Sequence, residues 1–239
     1  MDKNTLDSVS ARVAKAKAQR KSLPLTGNDV TLVAVTKNHS VDVFDDVVRL
    51  GLTDVAENRV QEAKIKQELL GQKRDEPSLA KLRWHLIGHL QTNKARLAVK
   101  LFQIIESVDS IRLMELLDSE AKRIGKVQEI LLQINIAEEA QKTGFSIAEY
   151  REAVAKINDF PNLKVRGLML IAPATEDTDR ICSVFQKGYE EFVRLQKDYS
   201  VDILSMGMTD DFEIAVTEGS NEVRIGRAFF GDRDYSIKF

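Results

Sequence analysis

Thr31-Leu-Val-Ala-Val-Thr-Lys37 is a short, largely β-branched apolar run that stops on a lysine. It shows no polar/apolar alternation, as expected of a strand covered on both faces. Comparable runs follow at Thr53 to Ala56, Leu82 to Ile87, Phe102 to Val108, Glu129 to Asn135, Lys164 to Ile171, Asp202 to Met206 and Glu222 to Phe229. Most are separated by segments of helical period. Ser110 caps a helix whose stripe runs through Ile111, Met114, Leu117, Ala121 and Ile124, with Gly125 as its stop. Ser146-Ile-Ala-Glu149 reads as a capping box, with Phe145 and Tyr150 as the flanking staple. Strands alternating with helices indicate βα units and a parallel sheet. Eight repeats in 239 residues favour a closed (β/α)8 TIM barrel, which typically takes about 250 residues, over an open doubly wound sheet. An extra N-terminal helix carries Leu6, Val9, Val13 and Ala16 on one face and is expected to pack across the barrel's end or side. The polar stretch Gly71 to Pro77 reads as the longest loop. No linker or low-complexity tract divides the chain, so residues 1–239 read as a single domain.

The apolar fraction of 43% and charged fraction of 30% are those of an ordinary globular protein. A net charge of -2 leaves no general footprint for nucleic acid or an anionic membrane. No segment approaches the roughly 20 apolar residues of a membrane span, and Met1-Asp2-Lys3-Asn4 does not open a signal peptide, so a cytoplasmic protein is expected. The lone Cys182 cannot form an intrachain disulfide and reads as a small filler on a helix.

In a barrel, function gathers where strands end and βα loops begin. Lys37 stands at the end of the first strand, where a low-dielectric border favours the neutral amine that a Schiff base requires. The competing reading is a lysine that snorkels to water. The last strand leads into Arg224-Ile-Gly226, and Ser205-Met-Gly-Met-Thr209 closes the seventh. Glycine-containing loops after the last two strands are where barrels commonly hold phosphate. Thr209, followed by two aspartates, also reads as a plain helix N-cap. A lysine opposite two such loops suits a phosphorylated aldehyde. His85 and His89, four apart on a strand, would share a side. A third metal ligand is not evident beside them, so both read as satisfied core or mouth histidines. His39 reads as loop-exposed, and the charged stretch Arg59 to Lys66 as a solvated helix face.

Several motifs then become recognisable: Ala34-Val-Thr-Lys37, Glu57-Asn-Arg-Val-Gln-Glu62, Trp84-His-Leu-Ile-Gly-His-Leu-Gln91 with Asn93-Lys94, and Ser107-Val-Asp-Ser110. Gly167-Leu-Met169, Leu204-Ser-Met-Gly-Met-Thr-Asp-Asp-Phe212 and Val223-Arg-Ile-Gly226 complete the set. In this order they resemble the pyridoxal phosphate homeostasis proteins. The resemblance implies a barrel like that of the alanine racemase N-terminal domain and a protein that binds pyridoxal 5′-phosphate, keeps vitamin B6 pools balanced and turns nothing over. It implies that Lys37 forms the Schiff base and that Asn58 lies near the ring. Arg224 would meet the pyridine nitrogen and keep it unprotonated. Gly226, the backbone of Arg227 and the Thr209 hydroxyl would hold the phosphate, with Ser205, Met206 and Gly207 lining the same site. No metal is implied. PLP-dependent apoenzymes would be the acceptors, and a monomer is expected. Lys142, in a Lys-x-Gly segment, is a candidate second attachment point. Ala56 departs from the family, whose members usually carry glycine before Glu-Asn. The alternative is a minimal fold-type III racemase or decarboxylase. The end of the chain soon after the eighth strand, without a racemase's second domain, is expected to disfavour it; a barrel enzyme for another phosphate ester is a third reading.

Overall fold

The computed structural model describes residues 1–20, 29–72, 79–137 and 143–232. Eight parallel strands close into a barrel in sequence order: β1 (Thr31–Val35), β2 (Asp54–Glu57), β3 (Arg83–Leu86), β4 (Ile104–Val108), β5 (Gln128–Gln133), β6 (Leu163–Met169), β7 (Ile203–Met208) and β8 (Glu222–Ile225). Closure is made by β1 on β8, with Thr31 opposite Glu222 and Ala34 opposite Ile225. The helices are α1 (Lys3–Ala18), α2 (Val43–Arg49), α3 (Val60–Gln72), α4 (Ala95–Leu101), α5 (Ile111–Arg123), α6 (Ile147–Ala155), α7 (Thr178–Asp198), α8 (Phe212–Thr217) and α9 (Arg227–Phe230).

The strands fall where the apolar runs place them, with one exception. The last run continues to Phe229, but the strand ends at Ile225 and residues 227–230 turn into α9. Apolar content alone does not separate a strand from a buried helical turn, and Phe229 is buried as part of that turn. Gly71 likewise lies inside α3 rather than in a loop, and residues 73–78 are outside the described ones.

The local signals hold in detail. Ser110 accepts from Leu113 N at 3.2 Å, and α5 buries Leu113, Met114, Leu117 and Ala121. Ile124 is excepted: it is the exposed C-cap residue, just before Gly125 at φ 65°. The box at Ser146 and Glu149 is reciprocal, with Phe145 and Tyr150 both buried beside it. Helix α1 buries Val9, Val13 and Ala16 and lies along the barrel's side against α8. Arg12 fixes that placement by stacking 4.5 Å from the Phe212 ring and pairing with Glu213 at 2.6 Å. Cys182 sits half-buried on α7, its thiol donating to Glu218 Oε1 at 3.1 Å.

The core has two layers. One large cluster lies between the sheet and the helices. Inside the barrel, Ile104, Leu131, Met169 and Ile203 form one apolar group, and Val33, Val35 and Ala56 form another with Ile87. The Ala56 methyl is thus absorbed as packing, fully buried among valines. The interior also holds polar and charged side chains, among them His85, Glu106, Ser205, Glu222 and Arg224.

Candidate functional site

The carboxyl end of the barrel opens into a cavity of about 400 Å³ lined by Lys37, His39, Ile87, Met208, Thr209, Arg224, Gly226 and Arg227. That volume lies in the range of small-molecule sites. Lys37 follows β1 in a tight turn, in which His39 N donates to Thr36 O at 3.1 Å. Asn38 takes the left-handed conformation at φ 58°, which asparagine tolerates better than most residues.

Arg224 comes from β8, and its orientation is fully specified. Its NH1 donates to Ser205 Oγ at 2.6 Å and its NH2 to Leu170 O at 2.7 Å. Ser205 in turn donates to Glu106 Oε2 at 2.6 Å. Glu106 Oε1 meets His85 Nδ1 at 2.7 Å, and His85 Nε2 meets Asp54 Oδ1 at 3.0 Å. A polar chain therefore runs through the barrel interior from Arg224 at the mouth to Asp54 at the start of β2. Burial alone would depress His85, but its bonds to Asp54 and Glu106 prevail and lift it to about 9, so both ring nitrogens donate. Burial works against the Glu106 carboxylate as well, yet the His85 bond and the Arg224 charge hold it below its ordinary value. Glu222, fully buried beside them, is pushed up to about 7 by burial and by the nearby Glu106.

His85, Glu106 and Glu222 bring their ligand atoms within 4.8 Å of one another, a grouping of the kind that can hold a cation. Here both His85 nitrogens are engaged by carboxylates, and the Arg224 guanidinium stands 3.7 Å from Glu106, so positive charge is already supplied from within. The pairing of His85 with His89 does not occur. β3 ends at Leu86, and His89 lies beyond it, half-exposed, 2.9 Å from Asp109.

Gly207 decides which residues of β7 reach the cavity. It adopts φ 98°, and a Cβ there would fall 2.6 Å from the Ala215 methyl, so only glycine permits this strand to lie on α8. The register against β8 shifts over this stretch, with Ser205 opposite Glu222 but Met208 opposite Arg224. As a result Met206 keeps its side chain in the helix-facing cluster, and Met208 lines the cavity instead. Thr209 is not the cap of α8; that place belongs to Asp211, whose carboxylate accepts from Met208 N at 2.6 Å. The Thr209 hydroxyl is left to the mouth, where it lies 3.5 Å from Ala228 N in α9. The first N–H groups of a helix have no acceptor within it. In α9, Phe229 N and Phe230 N donate to Gly226 O, so the donors at the mouth are the N–H groups of Arg227 and Ala228, the latter 3.5 Å from the Thr209 hydroxyl. The Arg227 side chain is exposed and pairs with Asp210, which also lines the cavity.

Asn58 follows β2 and is not one of the residues lining the cavity. Gly88 lets it settle there: a Cβ at position 88 would lie 2.2 Å from Asn58 O. Asn58 Oδ1 is buried with no hydrogen-bond partner among the described residues. His39, expected to be exposed, is buried and packs 5.4 Å from the Phe230 ring. The stretch Arg59 to Lys66 is a second correction. Glu62 and Lys66 are buried between α3 and the sheet, with Lys66 Nζ 2.7 Å from both Glu57 Oε1 and Glu62 Oε1. The signal was present: Val60, Ala63, Lys66 and Leu70 fall on one helical stripe, with a lysine at a core position. Lys142 lies outside the described residues.

The alanine racemase N-terminal domain family matches residues 9–234 of the chain. The pyridoxal phosphate homeostasis protein of Escherichia coli (strain K12) is 36% identical over 215 residues, 88% of either chain. That of Pseudomonas aeruginosa is 34% identical over 234 residues, 96% of this chain and 98% of its own. Among solved structures, PipY of Synechococcus elongatus PCC7942, with PLP bound, superposes with a TM-score of 0.78 at 34% identity, covering 93% of this chain and 100% of that one. Alanine racemase of Clostridium difficile 630 shares the fold alone, with a TM-score of 0.69 at 14% identity over 95% of this chain and 57% of the racemase.

Proposed function

The chain belongs to the pyridoxal phosphate homeostasis protein family, and on that footing we propose that it binds pyridoxal 5′-phosphate at the barrel mouth and holds it covalently through Lys37. The observation that carries this reading is the meeting of Lys37, Arg224 and Thr209 on one cavity, ahead of the opening turn of α9. The cofactor supplies an aldehyde that condenses with an amine. The protein's residues supply the rest. Lys37 offers the amine. The Thr209 hydroxyl and the N–H groups of Arg227 and Ala228 would hold the phosphate, at a helix start that favours negative charge. Arg224, fixed by Ser205 and Leu170, presents a permanently charged donor toward the ring nitrogen.

We read the protein as a carrier that keeps B6 pools balanced, not as an enzyme. A guanidinium beside the ring nitrogen suits this reading, since it does not favour the protonated ring that acts as the better electron sink, but it suits a racemase of this fold equally and does not choose between the two. The names of the relatives point to the carrier. PLP-dependent apoenzymes are the acceptors in this reading, from a monomer in the cytoplasm, with residues 1–239 as one binding domain. Among the described residues no helix is long and apolar enough to cross a membrane.

The test is an absorption spectrum of the purified protein before and after borohydride, with the reduced adduct located by mass spectrometry. A pyridoxyl group on Lys37, lost in Lys37→Ala, is the expected result. Saturated protein that yields no adduct at Lys37 would overturn the binding reading. Sustained racemisation of alanine, abolished by Lys37→Ala, would overturn the carrier reading.

A further inference from the structure

Lys66 is fully buried, and the cavity does not reach it. Its ammonium donates to Thr36 O at 2.8 Å, Glu57 Oε1 at 2.7 Å and Glu62 Oε1 at 2.7 Å, which matches the three donors it has. Both carboxylates are also tied to the segment that carries Lys37. Glu57 Oε1 accepts from Thr36 Oγ1 at 2.6 Å, and Glu62 Oε1 accepts from Asn38 N at 2.6 Å. The carbonyl and hydroxyl before Lys37 and the amide after it are thus gripped by one assembly contributed by β2 and α3.

Two features separate this grip from ordinary core building. Asn38 is the one non-glycine at positive φ among the described residues, a conformation that persists where its surroundings over-determine it. The assembly is also a poor way to gain stability. Ions removed from water cost much of what their attraction returns, and apolar residues of similar size commonly do as well. The same helix puts Val60, Ala63 and Leu70 against the sheet. Its buried ions, Glu62 and Lys66, stand where the neighbours are Thr36 and Asn38, the residues on either side of Lys37.

We infer that Lys66, with Glu57 and Glu62, is the positioning device for Lys37: it fixes residues 36–38 so that the Lys37 amine meets an aldehyde at the mouth, without itself touching the ligand. The inference rests on the proposed covalent hold at Lys37.

The experiment compares two ligands on the full-length protein freed of cofactor. Pyridoxal 5′-phosphate reports covalent capture, followed by the rate of the absorbance change and by borohydride trapping. Pyridoxine 5′-phosphate, with an alcohol in place of the aldehyde, reports binding alone. In Lys66→Met, capture at Lys37 slows by about tenfold, a fraction of the roughly 10²-fold that a 1 Å misplacement of a reacting group costs. Affinity for pyridoxine 5′-phosphate stays at the wild-type value. Glu62→Gln, which keeps an acceptor for Asn38 but removes the charge, shows the same split to a lesser degree and serves if Lys66→Met does not fold. Capture at the wild-type rate in the folded variant overturns the inference, and so does an equal loss for both ligands, which is the mark of general damage to the site. A wild-type protein that traps nothing on Lys37 overturns the proposed function and this inference together. Normal wild-type trapping with unaffected variants overturns this inference alone.

Discussion

Two ionic assemblies are buried in this barrel, one on each side of the sheet. Outside it, between β2 and α3, Lys66 faces Glu57 and Glu62. Inside it, His85 and Arg224 face Asp54, Glu106 and Glu222. The first holds the backbone around Lys37, and the second holds the side chain of Arg224. They differ in what they fix and agree in how they are balanced. Each contains one carboxylate more than its cations, and in each it is that kind of group, Glu57 or Glu222, that burial pushes up to about 7. With those two protonated, both assemblies are electroneutral. A buried set of charges is tolerable on those terms, since an uncompensated charge in the interior costs several kcal/mol.

The comparison can be broken most directly at Glu106. Glu106→Leu leaves His85 and Arg224 buried on either side of an apolar residue, and a loss of about 3–5 kcal/mol in urea denaturation is expected, the range for removing one partner of a buried pair. A loss below 1 kcal/mol, about what an ordinary neutral hydrogen bond contributes, would show that the interior chain is not held by charge.

The next effect is on pH dependence. Glu57 and Glu222 are raised from 4.5 to about 7, so their contribution is fully present below 4.5 and fades as pH climbs through 7. His85 is raised from 6.5 to about 9, so its contribution is complete below 6.5 and fades through 9. The melting temperature should therefore fall in two stages as pH rises, the first between 4.5 and about 7 and the second between 6.5 and about 9, as followed by calorimetry. A melting temperature that rises from pH 6 to pH 9 contradicts both assignments.

The smallest effect belongs to the excess carboxylate. Glu222→Gln mimics the protonated form and should cost less than about 1 kcal/mol while weakening the first stage, between pH 4.5 and about 7. A cost matching that of Glu106→Leu would mean that Glu222 is a charged member of the set.

Much of the fold was legible because its signals are local. Apolar runs, the Ser110 cap and the Ser146–Glu149 box each depend on residues within a few positions of one another, and all three formed as read save for the tail of the last run, which turns into α9. The site was legible in part. Lys37, Thr209, Arg224 and Gly226 do share one cavity, because strand ends and βα loops converge in any closed barrel. The misread positions are those whose partners are distant in sequence or whose direction depends on one bulge. Glu62 and Lys66 resemble an exposed i, i+4 pair until Thr36 and Glu57 are brought beside them. The strand-end aspartate Asp54, the histidine His85 and Glu106 form a chain only after three strands align. Met206 and Met208 exchange roles because of the backbone at Gly207.

Pairing of the first strand with the last has a consequence for synthesis. The amine at position 37 is made well before the guanidinium at position 224 that shares its cavity, and the Thr31–Glu222 seam brings them together. Contacts this remote in sequence form late and slowly. Until β8 and α9 have been made, Lys37 therefore has no complete pocket around it, and a ligand met then would lack the contacts those elements make.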